Sequence, residues 1–344
     1  MTPESQTDAH GLRCRICDAG GPHQSFSIRE MMFGTRENFQ YFLCRVCGCL
    51  QISEIPSDLE RHYPSNYYSM DKYHPGNRDH WAPLTRAFMR QRVRLALFGR
   101  GYRIARLVSC GRPMPALFFR SQPALLRNAN LPGFDAAILD VGCGDAARWL
   151  HDLGKLGFNR LSGVDPFIER SRTVQGVQLI KSDLATFAIG REGTFDLVTF
   201  NHSLEHLPNQ AEALATTVSL LKPQATCVVR IPVLPCASWD KYGTDWVELD
   251  APRHLYIHSH TSIRMLGEQV GMKLNQVFYD TSDFEFYGSE QYARDIALTD
   301  SQSVWTNPNT TLFSPDERRR FEELAAQANR TETAGRAAFV FRKA

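Results

Sequence analysis

The stretch Ile138-Leu139-Asp140-Val141-Gly142-Cys143-Gly144-Asp145-Ala146-Ala147 decides the fold. An apolar run of strand character meets a glycine turn, and a helical pattern follows. Glycine lets the backbone turn tightly and approach a ligand with no Cβ in the way. The helix that follows offers free N–H groups at its start. Asp165 lies 21 residues after Gly144, at the end of the next predicted strand. An acidic side chain there accepts hydrogen bonds from ribose hydroxyls. Taken alone, Gly142-x-Gly144-x-x-Ala147 also fits a dinucleotide fingerprint. Asp140 argues otherwise: a carboxylate two residues before the first glycine suits an ammonium-bearing ligand and disfavours a nearby pyrophosphate.

Outward from this turn, the chain from about Ala136 alternates short apolar runs with helical stretches, the pattern of a parallel sheet covered by helices. Strands are predicted at Ala137 to Val141, Arg160 to Val164, Val177 to Lys181, Phe195 to Phe200, Thr226 to Ile231, Lys273 to Tyr279 and Ala337 to Arg342. Helices are predicted at about Ala146 to Leu156, Asn209 to Leu221, Thr261 to Val270 and Pro315 to Asn329. Leu221-Lys222-Pro223 marks a helix end, since proline stops continuation. Three zones result: a cysteine-bearing module at 1–60, a basic, partly helical connector at 61–134, and an α/β domain at 135–344 with an insertion at about 282–335.

Several residues group around the predicted strand ends. Asp183-Leu184 ends the third strand, where an adenine could be read, and Asn201-His202-Ser203-Leu204-Glu205-His206 closes the fourth. Together with Leu139-Asp140-Val141-Gly142-Cys143-Gly144, Val164-Asp165, Phe195-Asp196-Leu197-Val198, Ser203-Leu204-Glu205-His206-Leu207 and Leu221-Lys222-Pro223, they make the chain resemble the class I S-adenosylmethionine-dependent methyltransferases over about Asp135 to Tyr279. The resemblance implies a Rossmann-like seven-stranded sheet and S-adenosylmethionine as cofactor. It implies that the turn Gly142-Cys143-Gly144 with Asp140 holds the methionine part, that Asp165 holds the ribose, and that Asp183 with Leu184 lies near the adenine, Asn201 joining the cofactor residues. Cys143 reads as a small filler rather than a nucleophile. Arg230-Ile231-Pro232 departs from the asparagine-containing turn of many relatives, so the substrate side is expected to be remodelled.

Cys14-x-x-Cys17 and Cys44-x-x-Cys47 are two tight pairs separated by 26 residues. Two such knuckles make a closed tetrahedral site suited to structural zinc, with Cys49 and His10 as less well spaced spares. Zinc would supply folding energy that so small a segment lacks. No basic-aromatic pattern surrounds the pairs, so bracing of a neighbour or substrate-side packing is expected rather than nucleic-acid reading. A cysteine-rich N-terminal module ahead of such a domain is similar to bacterial methyltransferases of sugar and surface-polysaccharide biosynthesis, an analogy of architecture.

After the fifth strand, Trp246-Val-Glu-Leu-Asp-Ala-Pro-Arg-His-Leu-Tyr256 gathers Trp246, Asp250, Arg253, His254 and Tyr256. A hydroxyl acceptor profits from a base near neutral pKa, usually histidine. His254 is the first candidate, with Arg253 or Tyr256 orienting the acceptor. His206 is the competitor, although Glu205 and His206 could simply brace the helix that follows. Phe284 to Asp295 is dense in aromatic and polar groups and could face the acceptor or form a small core.

The 344 residues carry a formal net charge of +2. Ten arginines and no acidic residue fall between His80 and Pro132, leaving the remainder net acidic, unlike a globally basic nucleic-acid binder. Arg86, Arg90 and Arg94 at helical spacing, with Met89, Val93 and Leu97 on another face, suit docking onto that acidic remainder or an anionic membrane surface. No apolar run approaches the length of a membrane span, and the polar Met1 to Gly11 lacks a secretory core. A cytoplasmic enzyme is expected, transferring a methyl group to a small-molecule or glycan acceptor. A nucleic-acid methyltransferase, a nicotinamide-dependent oxidoreductase and a scaffold without activity are the alternatives.

Overall fold

The computed structural model describes residues 6–9, 11–64, 83–98 and 122–344. His10 and most of the connector, including its tyrosine- and proline-rich part, lie outside the described residues.

Seven strands form the heart of the α/β domain, in the order β8 (Val177–Ile180), β6 (Arg160–Val164), β5 (Ala137–Val141), β9 (Phe195–Asn201), β10 (Leu221–Leu234), β13 (Arg336–Lys343) and β12 (Met272–Tyr279). The first five run parallel, and β13 slots antiparallel between β10 and β12. Adjacent residues alternate between two buried faces. Ile138, Leu161, Leu179, Leu197 and Val228 share one core, while Leu139, Val141, Val198, Phe200 and Val229 share the other. Burial on both faces explains why these strands read as near-continuous apolar runs. The chain leaves β5 toward β6 on one side and returns through β9 on the other, so the crevice between β5 and β9 is a topological switch point, where such sheets bind ligands.

The helices α1 (Pro83–Phe98), α2 (Gln122–Asn128) and α3 (Arg148–Leu156) cover the first face. Val93 and Leu97 of α1 are buried there beside Leu125, Leu150 and Phe158, and the Arg90 guanidinium lies 4.9 Å from the Phe134 ring centre. The apolar side of the basic helix is therefore in use within this fold. On the other face α5 (Gln210–Leu220) contributes Leu214 and Leu220, and α7 (His260–Gln269) contributes Ile263 and Leu266.

Several elements depart from expectation. The helix α3 starts at Arg148 rather than Ala146, because Ala147 sits in the left-handed region at φ 42°. The strand β10 is 14 residues long: it starts already at Leu221, which pairs with Phe195 of β9, so Leu221-Lys222-Pro223 opens a strand directly after the helix, and its end continues past β13 to pair with a short strand, β11 (Tyr256–Ser259). A three-residue strand, β7 (Arg172–Val174), extends the sheet beyond β8. Within the insertion, α8 (Phe284–Ala293) forms alongside the expected α9 (Pro315–Arg330), which opens on a capping box between Ser314 and Glu317.

The N-terminal module is an antiparallel meander of β1 (Gln6–Ala9), β2 (His23–Arg29), β3 (Asn38–Leu43) and β4 (Leu50–Ile52). It joins the main sheet edge to edge, β4 pairing with β11, which itself pairs with β10. Tyr41, Phe42, Leu50 and Ile52 are fully buried. The two sheets thus become one, and the module packs directly behind the segment 246–256. Among the described residues no helix is long and apolar enough to cross a membrane.

Candidate active site

The glycine turn closes as the sequence requires. Gly142 has φ +71° and Gly144 has φ +64°. A Cβ on Gly142 would come 2.5 Å from the Ser203 Cβ, so β9's loop rests directly on the turn. Ser203 donates its hydroxyl to the Val141 carbonyl (2.6 Å), and Gly142 N–H donates to the Val164 carbonyl (2.8 Å). Cys143 sits over Gly163, and burial holds its thiol well above the ordinary range, which fits a filler and not a nucleophile.

Asp165 is buried and fixed by backbone donors: Gly144 N–H reaches Oδ2 (3.0 Å) and Phe167 N–H reaches Oδ1 (2.8 Å). Burial still raises its pKa, outweighing the two hydrogen bonds. Asp140 accepts from Thr199 (2.7 Å) and Asn201 (2.8 Å), both on Oδ1, and burial pushes its carboxyl up to about 7. A nearby cation would favour its charged form. Asp183 is exposed at the start of a short helix over Leu184–Ala188, where it accepts from the Thr186 N–H and hydroxyl (both 2.8 Å).

A cavity of about 580 Å³ opens at the switch point. Asp140, Gly142, Cys143, Gly144, Asn201 and His254 line it together; Asp165, Asp183, Leu184, His206 and Tyr256 are not among its lining residues. Its far wall comes from three parts of the chain: Met32 of the N-terminal module, Val247 and Glu248 after β10, and Phe284, Tyr292, Leu298 and Trp305 of the insertion. The phenylalanine and tyrosine of α8 thus divide: Phe284 and Tyr292 face the cavity, whereas Phe286 packs with Phe313 and Phe321.

His254 is buried at the cavity edge. Its Nδ1 lies 2.7 Å from the Glu248 carbonyl. A carbonyl can only accept, so Nδ1 carries the proton and Nε2 keeps its lone pair. Burial lowers its pKa, so the ring is neutral near pH 7. His206, at 4.7 Å between ring centres, likewise directs Nδ1 at a carbonyl, that of Arg253 (2.9 Å). Tyr256 is drawn away from the chemistry. Its hydroxyl accepts from Arg15 Nε (3.0 Å) and donates to the Pro208 carbonyl (2.9 Å), which ties the N-terminal module to the α/β domain.

The sequence reading missed the polar floor. Arg230 donates to Asp280 (2.6 Å), Arg336 lies 3.4 Å from the same carboxylate and 3.7 Å from Glu248, and all four line the cavity. It also assigned no role to His202, another lining residue, whose Nδ1 stands 3.2 Å from Glu205. The one signal present was the unusual Arg230-Ile231-Pro232.

In the N-terminal module the four cysteines converge as predicted. Cys14 Sγ lies 3.5 Å from Cys47 Sγ, and Cys17 Sγ 3.6 Å from Cys44 Sγ. Four thiolates at about 2.3 Å from a tetrahedral zinc stand about 3.8 Å apart. Cys14 also accepts from Gln51 Nε2 (3.1 Å) and the Ile16 N–H (3.4 Å), the kind of outer bonds that orient a thiolate ligand. Cys49 is buried beside this group and points its thiol at the Leu50 carbonyl instead.

Residues 116–277 match the family profile described as a methyltransferase domain. The match covers 162 of the 344 residues, just under half of the chain. A ubiquinone biosynthesis O-methyltransferase of Colwellia psychrerythraea is 32% identical over 98 residues, covering 26% of this chain and 39% of that relative. The matched part thus spans well under half of the curated relative's length. Among solved structures, geranyl diphosphate C-methyltransferase from Streptomyces coelicolor A3(2) is similar at 12% identity over 83% of this chain and 97% of that one, with a TM-score of 0.43. A SAM-dependent methyltransferase from Archaeoglobus fulgidus is similar at 20% identity over 61% and 86%, with a TM-score of 0.37.

Proposed function

We propose that this protein transfers the methyl group of S-adenosylmethionine to a hydroxyl or carbon of a small or glycan-linked acceptor, and that the acceptor is a sugar. The observation that carries the methyl transfer is the glycine turn at the switch point, with Asp140 and Asp165 fixed on either side of it. The donor set fits the cofactor: Asp140 for an ammonium, Gly142 and Gly144 for close backbone approach, Asp165 for a ribose, and Asp183 and Leu184 toward an adenine. When bound, S-adenosylmethionine supplies an electrophilic methyl carbon on a sulfonium sulfur.

The chain's own part is to hold two reactants at attack distance, which alone can remove much of the barrier. The acceptor's ring rests against Phe284 and Trp305, whose ring centres lie 5.4 Å apart, and its hydroxyls meet Glu248, Arg230 and Arg336. His254, with Nε2 free of its proton, is the side chain that activates the acceptor atom. In the transfer the acceptor gains the carbon–oxygen or carbon–carbon bond, the carbon–sulfur bond breaks with its electron pair staying on sulfur, and the acceptor's proton leaves to water or base.

We further propose that Cys14, Cys17, Cys44 and Cys47 hold a structural zinc. The module then acts as a brace behind the acceptor side, through Tyr41, whose hydroxyl donates to the His254 carbonyl (2.9 Å), and through β4 on β11.

A screen of nucleotide sugars and glycans with labelled methyl donor tests this reading. Label transferred to a sugar supports it. Label transferred only to phenolic hydroxyls overturns the sugar and keeps the transfer; no label on any acceptor, with cofactor bound, points to a scaffold without activity.

A further inference from the structure

Four buried carboxylates around the loop 246–256 have a cation beside them, Glu285 is met by the Thr281 hydroxyl and the Gly335 N–H, and among the described residues Glu205 has neither. Asp250 pairs with Arg253 (2.6 Å), Glu30 with the same guanidinium (2.8 Å), Asp280 with Arg230 (2.6 Å), and Glu248 with Arg336 (3.7 Å). Glu205 is 0% exposed, and among the described residues it has no Arg or Lys partner within ion-pair distance. Neither of its carboxylate oxygens has an aligned hydrogen-bond donor. His202 Nδ1 stands 3.2 Å from Oε1 but off the hydrogen-bonding line. A lone buried carboxylate is costly unless something compensates its charge.

What surrounds it is a set of metal-ligating atoms. Glu205, His206 and His254 each offer a ligand atom, all within 4.8 Å of one another, and His254 Nε2 lies 4.0 Å from Glu205 Oε1. Both histidines spend Nδ1 on backbone carbonyls, those of Arg253 and Glu248. That arrangement is how metal-bound histidines are usually oriented, the far nitrogen being left for the metal. Asp250 Oδ2, 3.9 Å from His254 Nε2, adds a negative charge at the rim.

We propose that Glu205, His206 and His254 bind a divalent first-row transition ion, distinct from the cysteine-held zinc. Two imidazoles and one carboxylate suit zinc, manganese, iron or cobalt, and leave coordination positions open. Binding at about 2.0–2.2 Å draws the three ligands together by a fraction of an ångström to an ångström each. His254 and His202 line the cavity, so the open side of the ion faces the acceptor. There the ion would hold the acceptor's oxygen and favour loss of its proton, so that in the ion-loaded protein His254 would act through the ion, its Nε2 being a ligand and no longer a free base. This role rests on the methyl-transfer reading; the ion site itself does not.

Titration of the zinc-loaded full-length protein with Mn²⁺, followed by the loss of the free-ion paramagnetic resonance signal, tests the proposal. The expected result is one Mn²⁺ bound per chain in the parent and none in Glu205→Gln, with S-adenosylhomocysteine still bound by both. Cobalt substitution should give two spectra: intense thiolate charge-transfer bands from the cysteine site, and weak ligand-field bands that vanish in Glu205→Gln. If that variant does not fold, His206→Ala and His254→Ala must each abolish Mn²⁺ binding. A parent protein that binds S-adenosylhomocysteine but takes up no ion beyond the cysteine-held one would overturn the site and leave the methyltransferase reading intact. Mn²⁺ binding that survives in these variants would overturn it as well.

Discussion

Arg253, in the loop that carries His254, and Glu30, in the N-terminal module, form a fully buried ion pair at 2.8 Å. The guanidinium also grips Asp250, and donates to the His62 carbonyl (3.2 Å). Glu30 spends its remaining capacity on the Phe33 and Thr35 N–H groups (both 3.0 Å). The pair therefore fastens the loop to the module by charge and hydrogen bonds at once.

Stranding a buried charge typically costs about 3–5 kcal/mol. Arg253 keeps Asp250 when Glu30 is removed, so Glu30→Ala should lower unfolding free energy by less than that range in urea titrations. Its turnover should fall more than its affinity for S-adenosylhomocysteine, because the loop and not the glycine turn loses its support. Unchanged stability would show that the pair contributes nothing.

Loss of zinc should act at a distance. Cys14→Ser or Cys44→Ser should remove about one zinc per chain and loosen the first module. Ser259 donates its hydroxyl to the Cys47 carbonyl and Ile52 N–H bonds the Leu255 carbonyl (3.0 Å), so the loop should loosen too. Hydrogen exchange should rise over residues 11–64 and 246–259 and stay low over 137–164. Retained zinc in both variants would exclude these cysteines as ligands.

The proposed contact of Asp140 with the cofactor's ammonium should give cofactor binding a pH dependence. Burial raises it from the ordinary 3.8 to about 7, so the ligand-free fold favours the protonated form. The stability this group contributes is fully present below about 3.8 and is lost as pH rises through about 7. A bound ammonium reverses the preference. Calorimetric affinity for S-adenosylhomocysteine should therefore rise between pH 6 and pH 8, with proton release, and Asp140→Asn should flatten that slope.

For His254, burial lowers the pKa, so the neutral ring persists to lower pH than the ordinary value of about 6.5. The acidic limb of the rate profile should fall below that value. His254→Ala should leave cofactor affinity nearly unchanged and lower turnover by roughly 10²–10⁴-fold. Near-normal turnover with the same limb would remove His254 from the reaction.

The glycine turn, its acidic neighbours and the cysteine pairs were legible in the sequence because each is local: a few residues at fixed spacing dictate the geometry. β5 and β6 matched residue for residue for the same reason. The strands β4, β7 and β11 were not legible, since three or four residues carry too little periodicity. The floor built by Arg230, Asp280 and Arg336 joins residues 50 and 56 positions apart, a relation that only the sheet topology creates. Tyr256 resembled an acceptor-side residue by its place in a polar loop, but β11 turns its hydroxyl toward Arg15. Asp183 stands just past the end of β8, and its carboxylate serves as a helix cap.

Calorimetric titration with S-adenosylmethionine, its demethylated product and NAD tests the central claim most directly. The account predicts saturable binding of the first two at one site per chain, and a loss of about 1–3 kcal/mol of binding energy in Asp165→Ala, whose carboxylate Gly144 and Phe167 hold ready for a ribose. Binding of NAD with none of S-adenosylmethionine would contradict it.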